Sequence, residues 1–589
     1  MRLVELREVL EFEEEEKRRP FEAQGKQAAA LQVMALGEEV YRFTKLTVAV
    51  ASSLAVLCIA GVAVPVQSAP QAGHEGHHGT GPVPREILER PVALRTGIGT
   101  LHQKVAASSQ EAQAFYDQGL AYVNSYVWIE GVRSFHQALR LDPNLAMAYL
   151  GLTDAYIGMH EPATARAAFQ RAQELAPKLN KSEQMWVAIR GYELDYLESD
   201  GDSDKYVVYR KSINDALKAN PNDPWLWIQR GLADEGSPVT HGQVGGVDTI
   251  AFYRTALALA PDNFAAHHYY AHTLENLGRA KEALDESATY LRMAPAIPHA
   301  HHMHGHELMR LGRTEEAIAE FLKTKSLEEE YYRTENVPSR YDWHHAHNLH
   351  LLAMSYQSLG QMKAAEAAFR EAFSVPAYTD FLEFNRKAWP EFLLARGRYE
   401  EALHAAQELT KSDWPLPQLA GHTIAGEALL ALDRANEAQE ELNLAERETE
   451  HLPVNLVATS PFPNTLRAGF LYREKKTEEA RALLQDIVKM TLARPGPDAW
   501  SAARFELEAL AKSARQSGDW GLSESIARAM IQHDSTYAGG YFALGLAAEH
   551  AGHSAQAREQ FAAAEKFWSK ADKDLPELRR IQEGVSARR

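Results

Sequence analysis

Apolar residues along this chain recur in helical steps, and the whole pattern repeats on a longer one. Leu141-Asp142-Pro143 and Leu175-Ala176-Pro177 stand 34 residues apart, as do Ala260-Pro261 and Ala294-Pro295. Between the first two, large and small residues run Tyr149, Leu152, Tyr156, Ala165, Phe169, Ala172 and Pro177. The preceding unit reads Phe115, Gly119, Tyr122, Phe135, Ala138 and Pro143, and a late one Tyr541, Leu544, Gly545, Ala557, Phe561 and Ala564. Spacings of three and four put these residues on one face of each helix. A helical pair of this kind cannot bury its apolar face alone, so a fixed period predicts stacking of successive pairs around a continuous core. Small residues such as Ala283, Ala317 and Ala372 mark where helices approach closely. No period-two alternation and no Val/Ile-rich buried run speaks for a strand. The expected fold is all-α, a helical-hairpin solenoid.

The order Tyr149…Leu152…Tyr156…Ala165…Phe169…Ala172…Pro177 resembles the tetratricopeptide repeat, with Thr153 where that family usually has glycine. The resemblance covers roughly residues 105–570 and is weakest between 376 and 530, where the units read equally well as generic helical hairpins. It implies a right-handed superhelix whose first helices line a concave groove, with a protein or peptide as the natural occupant. Trp225, Trp227 and Tyr116 are candidate exposed anchors for such a partner.

Composition narrows the partners. The chain has 589 residues and a formal net charge of −18, which argues against nucleic acid. Its one cysteine, Cys58, leaves no disulfide framework and no thiolate metal site. Residues 1–45 form a charged N-terminal segment containing Glu13 to Arg19, and Met34 offers an alternative start. Residues 46–69 read as a signal sequence or membrane anchor: an apolar run over 46–66 follows Arg42 and Lys45 and ends near Ser68-Ala69. The expectation is export, with the protein periplasmic or anchored facing the periplasm. A disordered linker over 70–104 carries His74, His77 and His78, which capture metal loosely or are incidental to a spacer. An N-terminal repeat array over 105–375, a degenerate array over 376–572 and a tail over 573–589 complete the expected organisation.

Chemistry concentrates in the first array. Twelve of the 25 histidines fall between His267 and His350. Aligned on Ala283, Ala317 and Ala365, His268, His302 and His350 are each the fifth residue of a unit, His272 and His306 the ninth, and His299 and His347 the second. The family resemblance then implies three successive first helices presenting imidazoles to one surface, and packed helices 8–10 Å apart let neighbours share an ion. Glu275, three residues beyond His272, joins the stripe as a ligand, an imidazole-orienting partner or a general base. Met354 is a candidate soft ligand. A polar, protonatable groove without metal accounts for the same spacing. His267, His301 and His304 are expected to pack against partner helices, and His344 and His345 to cap or solvate a helix start.

The blocks His268-Tyr269-Tyr270-Ala271-His272, Pro298 to His306 and His347-Asn348-Leu349-His350, with the opening Leu101 to Leu120, also resemble exported bacterial tetratricopeptide proteins with histidine-rich central repeats. Imidazole with occasional carboxylate suits zinc or copper(II); iron is less favoured with only one acidic residue on the stripe. The His-Glu-x-x-His pair of zinc proteases is absent, as are a phosphate-cradling glycine loop and a nucleophile elbow. Three functions stand open: an interaction scaffold, a zinc or copper sensor or storage protein, and a metal-dependent hydrolase or oxidase with Glu275 as base.

Overall fold

The computed structural model describes residues 82–586 apart from 200, 236–241, 378, 453–459 and 495. The expected signal or anchor, the charged segment before it and the histidines at 74, 77 and 78 lie outside the described residues. Every regular element among the described residues is helical. The fold is the all-α solenoid of stacked hairpins that the 34-residue period predicts.

Local chemistry sets the boundaries of the three histidine-bearing hairpins. The first pairs Phe264–Asn276 with Ala280–Met293, the second Pro298–Arg310 with Thr314–Glu335, and the third Trp343–Ser358 with Met362–Ser374. Asn263 starts the first by accepting the Ala266 amide on its side chain at 3.2 Å, and Asp342 starts the third by accepting that of His344 at 2.9 Å. Pro298 opens the second, where its missing N–H costs nothing. Gly278, Gly312 and Gly360, at φ of +72° to +73°, end the first helices in the left-handed conformation that lets the chain double back.

Between the helices, small residues meet large ones as the pattern predicts. Ala283, Ala317 and Ala365 are wholly buried, and Tyr290, Phe321 and Phe369 fill the adjoining space. The approach is close enough that a Cβ on Gly305 would lie 2.7 Å from the Phe321 ring. The break in period before the third histidine set is an extension of one helix: Thr314–Glu335 runs 22 residues, and its additional turns carry Glu328, Tyr331 and Glu335.

Both ends of the array reach back to these central hairpins. The Asn124 carbonyl accepts from His268 Nδ1 at 2.8 Å and the Asn124 side chain accepts from the Tyr269 hydroxyl at 2.8 Å. Trp343 donates to the Tyr126 carbonyl, and Tyr331 to Glu130. From the other end, Arg504 on the Pro497–Gln516 helix lies 3.6 Å from the Met309 sulfur, and Arg310 stacks over Trp500.

That closure corrects the expectation of an open groove. The first-helix faces that carry the histidines are enclosed, not solvent-lined: His268 and His302 have no exposed surface. Tyr116 is no exposed anchor either, being 2 % exposed with its hydroxyl bonded to Gln103 and its ring against Phe135. Trp225 and Trp227 are half-buried, their indole N–H groups given to the carbonyls of His102 and Pro221.

Candidate metal centre

The enclosed face brings six of the seven singled-out histidines together. His268, His272 and His299 form one group and His302, His306 and His347 a second; within each, the three candidate ligand nitrogens lie within 4.8 Å of one another. His299 and His302, one helical step apart, stack with ring centroids 5.7 Å apart and join the groups. His350 enters neither group, and Met354 packs in the apolar core of the third hairpin.

Hydrogen-bond partners fix which nitrogens carry protons. A carbonyl can only accept, so His268 Nδ1 bears the hydrogen it shares with Asn124 O, and His268 Nε2 is left with a lone pair. Asn348 donates its amide to the Phe321 carbonyl, which turns its oxygen to His302 Nδ1 at 3.0 Å. His302 Nε2 is thereby a second bare lone pair, and it has no hydrogen-bond partner. Oxygen acceptors that hold the far N–H of an imidazole are the usual supports of metal-binding histidine.

A longer relay orients the first group. His268 Nε2 lies 3.0 Å from His299 Nε2, His299 Nδ1 lies 3.0 Å from His344 Nε2, and His344 Nδ1 lies 2.6 Å from Glu328 Oε1. His345 binds the other oxygen of Glu328 at 2.8 Å. His344 and His345, expected to cap or solvate their helix, are instead buried partners of a carboxylate from the extended neighbouring helix. From Asn124 to Glu328 this relay has four short contacts, and one hydrogen on each of its three imidazoles fills three of them. The fourth is then left without a hydrogen.

Burial sets the charge state of the rings. It drives His268 and His350 down to about 3 and His347 to about 4, and holds His272, His299 and His302 well below the ordinary histidine range, neighbouring imidazoles adding to it for these three. The rings are therefore neutral near pH 7, the form that ligates metal. Glu328 is raised by burial, but the hydrogen bonds from His344 and His345 outweigh this and keep it below the ordinary carboxylate value.

Three carboxylates complete the enclosure. Glu275 is wholly buried, its Oε1 3.3 Å from His306 Nδ1 and 3.8 Å from the Arg310 guanidinium. Glu307, which sequence reasoning passed over because adjacent helix positions face different ways, is also wholly buried. Asp498, on the closing helix, reaches His347 at 3.5 Å.

Three further histidines show a different pattern. His267 pairs with Glu286 and the Pro261 carbonyl, and His301 with Glu320 and the Pro295 carbonyl. His422 repeats the carboxylate half of the pattern with Glu441. Each is a clasp between the two helices of a hairpin, with 19 residues from histidine to glutamate.

Beside the first group lies a cavity of about 220 Å³ lined by Tyr126, Trp128, Tyr331, Tyr341 and Trp343, with Glu161 and Asp342 among its polar residues. Tyr126 and Trp343 are also the rings that cover His299, with centroids 4.8 and 6.2 Å from it.

Comparison with known proteins bears on the scaffold. No curated protein matches the chain. Among solved structures, yeast Tom70 matches with 14% identity and a TM-score of 0.33 over 73% of this chain and 92% of its own. A tetratricopeptide repeat protein from Parabacteroides merdae matches with 18% identity and a TM-score of 0.32 over 45% of this chain and 93% of its own. Sequence models of the tetratricopeptide repeat match residues 252–285, 298–331 and 346–377, the three hairpins that carry the histidines. These matches show tetratricopeptide repeats over residues 252–285, 298–331 and 346–377 of an all-α array of helical hairpins.

Proposed function

We propose that this repeat scaffold holds a buried divalent-metal centre on its three histidine hairpins. The observation that carries the reading is the missing hydrogen in the relay from Asn124 to Glu328. Two bare nitrogens 3.0 Å apart repel unless a cation lies between them, and burial opposes a proton there. Metal–imidazole bonds of about 2.0–2.1 Å put two nitrogens of a tetrahedral site roughly 3.3 Å apart, close to the His268–His299 separation. With an ion on both Nε2 atoms, His299 Nδ1–H donates to His344, His344 Nδ1–H donates to Glu328, and every contact is satisfied. His272 Nε2, which has no hydrogen-bond partner, supplies the third nitrogen. An all-imidazole set suits zinc or copper(II).

Tetratricopeptide repeats are a protein-interaction framework, and the array supplies one here. We place the protein outside the cytoplasm, on the strength of the apolar run at 46–66 behind Arg42 and Lys45. There it stores or senses metal while its repeat surface engages a protein partner. Metal analysis of the purified full-length chain tests the centre: a stoichiometric ion that is absent from His268→Ala and His299→Ala supports it. A wild type that takes up no zinc or copper after dialysis against either ion removes it.

A second reading, metal-dependent chemistry on a small molecule, draws on the aromatic cavity that shares Tyr126 and Trp343 with the first group. Its test is whether the metal-loaded protein turns over hydrolase or oxidase substrates and Trp343→Ala alters that turnover.

A further inference from the structure

The second histidine group differs from the first in having carboxylates against it. Glu275 and Glu307 have no exposed surface, and none of their four oxygens has a hydrogen-bond partner. Both ring nitrogens of His306 lack one as well. The nearest cation is Arg310, 3.8 Å from Glu275, and its guanidinium is already committed to the Glu275 carbonyl and to the face of Trp500. One guanidinium serves two buried carboxylates, and no side-chain or backbone donor reaches their oxygens. Buried carboxylates are normally paired, protonated or bound to metal, because an isolated one is among the costliest groups to enclose.

The geometry points to a second, chemically distinct cation site formed by His302, His306 and His347 together with the carboxylate of Glu275, with Glu307 buried on the same helix as His306. This rests on the reading of the imidazoles as metal ligands and refines it: the centre holds two ions of different preference. His302 Nε2, a bare lone pair by the Asn348 argument, faces this group, and Glu275 reaches it through His306 at 3.3 Å. Mixed imidazole and carboxylate ligation accepts oxygen-preferring ions such as manganese(II) and iron(II), whereas the all-nitrogen first group favours zinc or copper.

The test is titration of the full-length chain and a Glu275→Gln/Glu307→Gln variant with zinc, followed by a competing chromophoric chelator, and with manganese(II), followed by the EPR signal of the free ion. The wild type is expected to take two zinc ions or one manganese ion. The variant is expected to keep one zinc ion and bind manganese at least tenfold more weakly. Thermal melts of both metal-free proteins guard against misfolding: removing uncompensated charge leaves the variant's midpoint equal or higher. Zinc binding at one site with no manganese uptake, or equal manganese affinity in the folded variant, overturns the carboxylate site and leaves the first group standing. A wild type that binds neither ion overturns both.

Discussion

The Nε2 atoms of His268 and His299 face each other at 3.0 Å from adjacent hairpins. Because Asn124 holds the hydrogen of His268 on Nδ1, only His299 or an added cation can fill that line. In the metal-free protein that line is filled only against the pull of burial, by a proton drawn into the relay, and an ion displaces it. Zinc binding is expected to release about one proton per ion at this group. Calorimetric titration in two buffers of different ionisation enthalpy measures it. Enthalpies that coincide in both buffers contradict the shared-hydrogen account.

His350 sits outside both groups, and its pH response can be separated from theirs. Its folded value, lowered to about 3 by burial and by the nearby charges of Lys387 and Arg386, lies below the ordinary 6.5. A depressed value means that the unfolded chain binds the proton first. The stability tied to a neutral His350 is thus complete above about pH 6.5 and is lost as pH falls toward 3. The loss is about 1.4 kcal/mol per pH unit within that window. Glu193 and Glu427, raised by burial to about 7, act with the opposite sign between pH 4.5 and 7, so the comparison is wild type against His350→Phe. Urea midpoints at pH 7, 6 and 5 should fall less steeply in the variant, with metal stoichiometry unchanged. Parallel slopes would show that His350 is not held neutral.

What the sequence made legible was register. Equal places in successive repeats put His268 and His302, His272 and His306, and His299 and His347 at matching positions on stacked hairpins, and the structure then joins the fifth and ninth places of one unit to the second place of the next, His268 and His272 with His299, and His302 and His306 with His347. Contacts made by closure were not legible. Asn124 lies 144 residues from His268, and Arg504 lies 195 from Met309; no period links them. His344 read as a helix-start residue because its carboxylate partner, Glu328, stands on the lengthened helix of another hairpin. A signal for the histidines outside the centre was present: the 19-residue step from His267 to Glu286, His301 to Glu320 and His422 to Glu441 marks a clasp within a hairpin.

Turn residues give a test of the repeat backbone away from the centre. Gly278, Gly312, Gly360, Gly397, Gly518 and Gly552 end helices at positive φ, and Lys475 does the same at +61° with its side chain exposed. A left-handed conformation costs an L-residue about 1 kcal/mol that glycine does not incur. Lys475→Gly is expected to raise stability by up to about that amount, less the greater entropy of glycine in the unfolded chain. Chemical denaturation reads it. A lower midpoint with unchanged slope would mean that the lysine side chain supports this turn in some other way.

Gly305 couples the packing to the centre. It lies between His304 and His306, and a methyl group there would come within 2.7 Å of the Phe321 ring, which is wholly buried and has no free direction to move. Phe321 also packs against His302 at 5.5 Å between ring centroids, and its carbonyl holds the Asn348 amide that fixes the His302 tautomer. Gly305→Ala therefore forces the ring toward His302 or drives the two helices apart. Overpacking of this size costs about 1–3 kcal/mol. The expected result is a lower melting temperature together with weaker binding at the second histidine group, while the first group, held by Asn124 and Glu328, keeps its ion. Pairing Gly305→Ala with Phe321→Leu should recover stability by making room. Recovery of stability without recovery of binding assigns the Phe321 ring a role in positioning His302. If Gly305→Ala binds both ions as the wild type does, the histidines are set by the backbone alone and the hairpin packing has no hold on the centre.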